Sequence, residues 1–364
     1  MPLNKDWPLN KVIAMHLDKD VLTHILSFCV DNVKDITTMR LVSKLFNKTL
    51  SNPMTWLHFP PINVRIGVNV LAKRAKGDNL YWYHGFLHVR PRMCQLDTLA
   101  TLTKYHPQMV IDLSFTDVAD VSLLTHVHTL NLNRTRVVDV SALGNVHNLD
   151  LSDTCVDDVS ALGHVHTLNL SSTNVVDVSM LTNVHTLYLN RNNRTDVNML
   201  TNVHTLSLRG TEVVNLPAVA NAYYLNLSCT TISDVSALGN AYYLNLSCTT
   251  ISDVSALGNV HTLDLSHTCV VDVSMLGNVH TLNLRHTKVT DISALGNVHT
   301  LDLGSTWVTD VSMLGNVYNL NLSCTTISDV SALGNVHTLD ISYTEVDDYS
   351  AVTNVYNLIR TYDR

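Results

Sequence analysis

No stretch of this 364-residue sequence is apolar for long enough to cross a membrane. Charges interrupt every apolar run, and no window approaches the ~18 apolar residues of a spanning helix. The opening "MPLNKDWPLNKVIAMHLDKD" has no uninterrupted apolar segment of the kind a secretory leader needs, so an intracellular protein is expected. Cysteine is sparse and odd in number, at seven, with no Cys-x-x-Cys pair. Cys229, Cys248 and Cys324 occupy equivalent places in a repeat, as do Cys155 and Cys269, so copying accounts for their spacing and a disulfide framework is not expected. The chain also lacks a nucleophile motif and a phosphate-cradling Gly-rich loop. Its many His and Asp residues sit at repeated positions, and neither catalysis, a cofactor nor a metal site is expected from them.

The sequence does have a strict period. "NAYYLNLSCTTISDVSALG" fills residues 221–239, and the same letters fill 240–258. Leucine recurs every 19 residues from Leu124 to Leu200 and again from Leu238 to Leu333, with Val219 and Val352 interrupting the series. A second register of apolar pairs runs from Ile111 and Leu113 to Leu339 and Ile341. A fixed short period built on leucine marks a solenoid, in which each unit buries its apolar face against its neighbours.

The letters of one unit predict its parts. In "HTLDL" the leucines alternate with polar residues, which predicts a short strand with one face inward. The Asp253-Val254-Ser255 segment supplies side-chain acceptors for a tight turn or single 3₁₀ turn. Gly258 and its equivalents are expected to take positive φ on the way to the next strand. The residue after the unit's first valine is histidine, as at His128, His261 and His337, or tyrosine, as at Tyr318. This row is expected on the solvent face of the strand. A linear row of like rings suits stacking better than the convergent geometry of a zinc site, and clustered imidazoles are open to a pH response.

Charge divides the chain. Residues 1–107 carry 14 Lys and Arg against 7 Asp and Glu, whereas residues 108–364 carry 9 against 24. The acidic array is expected to repel nucleic acid and to favour a basic partner surface, unless its aspartates are chiefly turn caps. In the connecting segment, Lys73, Arg74 and Lys76 precede Tyr81, Trp82 and Tyr83. That mixture fits strands and a solvated turn better than a nucleic-acid platform. "LDTLATLTKYHPQ" predicts a capping helix begun by Asp97 and ended by Pro107. "NLS" sequons at Asn169, Asn226, Asn245 and Asn321 fall on predicted strands, where glycans would obstruct the sheet face.

Two resemblances follow from these motifs. "VHTLDLSHTCVVDVSMLGN", from Val260, has apolar residues first, fourth, sixth and eleventh, and resembles the leucine-rich repeat family over about residues 108–364. The ninth place, usually asparagine or cysteine in that family, is mostly threonine here, as at Thr154 and Thr268. The order "L…VL..ILSF", "RLVSK.F", "P..W" in residues 16–56 resembles an F-box, with Leu17-Asp18 where that family usually has Leu-Pro. Together they imply an α+β repeat protein: a helical F-box-like bundle at 1–56, a connecting segment and solenoid cap at 57–107, and a leucine-rich solenoid with one continuous parallel sheet at 108–364. The F-box resemblance implies docking on a Skp-type adaptor of a cullin–RING ubiquitin ligase through Leu17, Leu22, Ile25, Leu26, Phe28, Leu41 and Val42, with the repeats holding the target. Copied units joined to an F-box suit the duplicated adaptors that large DNA viruses of protists carry, acting inside a host cell. The alternative is a scaffold without a ligase role, in which the N-terminal bundle serves only as a cap. Candidate target contacts are the residues just after the strands, where the chain is least repetitive: Arg134, Arg136, Arg191, Arg194, Arg209, Arg285, His286, Lys288 and Trp307.

Overall fold

The computed structural model describes residues 62–64, 87–89 and 110–361, apart from residues 194, 215 and 220. Three-residue parallel strands form one sheet of sixteen, ordered along the chain. Fourteen of them, from Val110–Asp112 to Asn357–Ile359, belong to the repeat array. Ile62–Val64 and Leu87–Val89 add two more at its N-terminal edge. Each array strand pairs with its neighbour so that equivalent residues face each other, as Leu263 faces Leu282. A strict period leaves no other register, because any slip would turn the leucines outward. The helical bundle expected at residues 1–56, with Leu17, Leu22, Ile25, Leu26, Phe28, Leu41 and Val42, and the helix expected at 97–107 lie outside the described residues.

The core is a set of parallel apolar columns. Within a unit, Val260, Leu263, Leu265, Val270, Val273 and Leu276 are all buried. One cluster of such residues runs through the whole array. Burying a leucine or valine side chain contributes about 1.5–3 kcal/mol, and each coil does so against the coils on either side. A 3₁₀ turn closes many units, as at Ser141–Leu143, Ser255–Leu257 and Ser312–Leu314, in agreement with the shortness of the repeat. The turn begins where Asp253 Oδ1 accepts the backbone N–H of Ser255 at 3.0 Å. That bond recurs in unit after unit, for example at Asp139 and Asp310.

The threonine of the ninth place is held by a bond within its own unit. Thr268 is 6% exposed, and its hydroxyl donates to the carbonyl of Leu265 at 2.6 Å. The same contact forms at Thr154, Thr230 and Thr306. Asn192 is the exception in this column. Its amide donates to the Leu170 carbonyl of the preceding unit at 3.0 Å, and its oxygen accepts from Thr173 N–H. Around it the array departs from its pattern, with Thr195–Asp196 and Val213–Val214 forming a separate two-stranded sheet.

The glycines correct one expectation. Gly258 has φ −62° and Gly315 φ −60°, ordinary right-handed values. Close packing favours glycine there, because a Cβ on Gly315 would lie 2.6 Å from the carbonyl oxygen of Ala332 in the next coil.

Candidate functional site

Each coil has two corners beside its strand. At the first the chain enters the strand, and here stands the histidine or tyrosine. The expected place on the strand's solvent face is corrected: the ring precedes the strand by one residue, and the outward strand positions are Thr262 and Asp264. The corner geometry still aligns the rings. From His128 to Tyr356, thirteen rings stack without a break, with centroids 4.3–4.9 Å apart. Most also place Nδ1 near the following hydroxyl, as His280 does 3.2 Å from Thr281 Oγ1. Burial, then the charge of the neighbouring imidazoles, holds His166 and His280 below the ordinary histidine value. Burial, then the adjacent Tyr243, pushes Tyr224 up to about 12.

The second corner lies where the chain leaves the strand. One residue in each of the first thirteen units there has φ between 54° and 67°: Phe115, Arg134, Asp153, Ser172, Arg191, Gly210, Cys229, Cys248, His267, His286, Ser305, Cys324 and Tyr343. Left-handed backbone costs a non-glycine residue roughly 1–2 kcal/mol. In return, its N–H is aimed at a carbonyl of the next coil, as Cys229 N–H donates to Ser247 O and Arg134 N–H to Ser152 O. The bond recurs at all thirteen of these corners and carries the sheet's hydrogen bonding around them. Since the backbone alone makes this link, the side chain is free to vary. Sequence reasoning missed the positive φ of this column, because only Gly210 carries the residue type that signals it.

Most of the expected target contacts fall on this column and its neighbours. Arg134 Nε meets Asp153 Oδ2 at 3.1 Å, and its guanidinium lies 5.3 Å from the centre of the Phe115 ring. Arg136 pairs with Asp117 at 3.1 Å. Arg191 and Arg209 are brought together across adjacent coils, where Arg191 N–H donates to Arg209 O at 2.8 Å. Neither guanidinium joins an ion pair among the described residues. Arg285 reaches across the following coil to Ser323 Oγ at 3.4 Å. It can do so because Gly304 has no side chain: a Cβ there would lie 2.6 Å from the guanidinium. His286 stacks on His267 at 4.4 Å, and Trp307 is 64% exposed. Lys288 is exposed on the unit before Trp307. Arg194 lies outside the described residues.

The acidity of the array has a local cause. Twelve aspartates, from Asp120 to Asp348, hold equivalent turn positions, and each Oδ1 accepts the backbone N–H two residues on. The Ser255 N–H, then its hydroxyl, holds Asp253 below the usual carboxylate range. On the strand face, acids and amides alternate as Asp264, Asn283, Asp302, Asn321 and Asp340, and each makes the same bond. Amides thus separate the carboxylates, which would otherwise stand about 4.8 Å apart on adjacent strands.

No family model and no curated protein matches the sequence. Solved structures do resemble it. An internalin (inlF) from Listeria monocytogenes superposes with a TM-score of 0.62 at 20% identity, covering 82% of this chain and 94% of that one. A leucine-rich repeat protein from Leptospira interrogans gives 0.59 at 15% identity, covering 83% and 93%. A plant peptide hormone receptor, RGFR1, in complex with RGF2 gives 0.50 at 15% identity, covering 71% and 51%. The fold is that of a leucine-rich repeat solenoid.

Proposed function

We propose that the chain is a protein-recruiting scaffold that reads its target at the strand-exit corner. The observation that supports this most is where variation occurs. Core, turn and ring columns repeat nearly unchanged, while the backbone-held corner carries Phe, Arg, Asp, Cys, His and Tyr in turn. Arg191 and Arg209 form its sharpest feature, a pair of cations on adjacent coils that presents several donors to a carboxylate of the target. Most of the array's carboxylates are already bound by their own turns, twelve in the turn column and Asp112, Asp150, Asp264, Asp302 and Asp340 at strand ends, so attraction for a basic surface acts as a long-range field while the corner makes the contacts. Solenoid folds that engage other chains support the reading, RGFR1 with RGF2 among them.

The F-box-like pattern of residues 16–56 supports a finer role. The scaffold is the non-catalytic, substrate-recruiting member of a Skp-type, cullin–RING ubiquitin ligase, and the target bound to residues 108–364 is delivered for modification. The sequon asparagines support an intracellular setting, since Asn226 and Asn245 already hold the turn that follows them through Oδ1. Among the described residues no helix is long and apolar enough to cross a membrane.

Two substitutions in the full chain test the two halves. Leu22→Ala with Ile25→Ala removes two anchors of about 1.5–3 kcal/mol each and should abolish co-purification with a Skp-type adaptor. Survival of that contact leaves the plain scaffold reading. Arg191→Ser with Arg209→Ser should weaken target capture far more than Thr231→Ser with Thr250→Ser, and equal effects would remove the corner as the reading surface.

A further inference from the structure

Along the exit-corner column, Gly210 is followed on successive coils by Cys229, Cys248, His267 and His286. The two cysteines belong to the identical 19-residue copies. Their strands pair in register, Leu225 with Leu244, and their φ angles are 58° and 57°. Their side chains therefore leave equivalent backbones in the same direction, about one strand spacing of 4.8 Å apart. The next pair on the column shows how near such side chains come, for the rings of His267 and His286 stack at 4.4 Å. Both thiols are free and exposed, and Gly210 leaves the flank of Cys229 without a side chain.

The geometry points to a soft-metal site in which the thiolates of Cys229 and Cys248 hold one monovalent cation of the copper(I) class in two-coordinate form. Thiolate donors select soft ions. Among the described residues no three His, Cys, Asp or Glu side chains converge as a metal site, which disfavours the four-ligand tetrahedron of structural zinc. An ion satisfied by two sulfurs fits what remains. Binding exchanges protons for metal: two thiols and one copper(I) give a bis-thiolate complex and two protons, with no change of oxidation state. Burial, then the neighbouring thiol, raises Cys248 above the ordinary thiol value, while the charge of Arg209 acts in the opposite direction. Arg209 is thus placed to favour the complex, which carries one net negative charge. The site goes beyond the protein-recruiting reading and does not depend on it.

The test is anaerobic titration of the reduced full-length chain with copper(I) buffered by a chromophoric chelator. Cys229→Ser and Cys248→Ser should each lower the affinity of one tight equivalent by more than about 100-fold, beyond the loss typical of a supporting contact. Cys324→Ser should change nothing, because that thiol stands on the same column between Ser305 and Tyr343. Serine already occupies this corner at Ser172 and Ser305 with φ 58°, so the variants are expected to keep the fold, which circular dichroism checks. Cys29, Cys94, Cys155 and Cys269 remain in every variant and cancel from the comparison. Affinity unchanged by Cys229→Ser and Cys248→Ser, or lowered equally by Cys324→Ser, overturns the proposal.

Discussion

Replacing Gly315 with alanine should destabilise the array more than replacing Gly210, although only Gly210 has positive φ. At Gly315 the backbone, φ −60° and ψ −17°, suits any residue. With open space around it, alanine would therefore stabilise by about 0.4–1 kcal/mol through the unfolded chain. The space is closed, because the new Cβ would lie 2.6 Å from the Ala332 carbonyl oxygen, where both contacting groups are held by backbone. Relieving that overlap means parting two coils locally, at the roughly 1–3 kcal/mol of an overpacked core. The net loss is then about 1–2 kcal/mol. Thr182, Thr201 and Thr353 share this column in other units, so a local shift is feasible and the cost stays in that range. At Gly210, φ 67°, a Cβ would meet Arg191 Cγ at 3.6 Å, an ordinary contact. Only the left-handed penalty of roughly 1–2 kcal/mol applies, reduced by the same unfolded-state gain to about 0.5–1 kcal/mol. Urea unfolding followed by circular dichroism measures both variants. A Gly315→Ala midpoint equal to or above that of Gly210→Ala would refute the reasoning that inter-coil contact, not φ, selects glycine in this column.

Deleting residues 240–258 should leave a folded array one strand shorter, because Gly239 then meets Asn259 in the junction that Gly258 makes now. Loss of a cooperative unfolding transition in that deletion would contradict it. The ring stack should also make stability depend on mild acid. The folded pKa of His280 lies below its unfolded value, so the native state binds fewer protons, and its contribution is full above pH about 6.5 and declines as pH falls below that. His280→Tyr, a ring the stack already carries at Tyr318, should move the acid transition to lower pH, and an unmoved transition would show that the stack tolerates the charge.

Much of this molecule is decided within 19 letters. The leucine spacing determines which residues turn inward, since a strand alternates faces and a coil buries only its inner one. Asp253 and Ser255 determine the turn, since the acceptor and the donor lie two residues apart. The brevity of the segment between them and the next strand leaves room for a 3₁₀ turn and nothing longer. These are local consequences, so the letters carry them. The candidate surface is different. Arg134, Arg191 and Arg209 are visible as irregularities in a regular text, yet their shared corner is not, because the bond that creates it joins Arg191 to Arg209 across coils. Gly258 misleads for the same reason, since its neighbour is the carbonyl of Met275 and not its own chain. Nor does any single unit reveal that thirteen rings align or that Cys229 comes to lie beside Cys248. The tertiary structure decides such contacts because stacking brings residues 19 apart to one strand spacing, and only the stacked coils determine which side chains then meet.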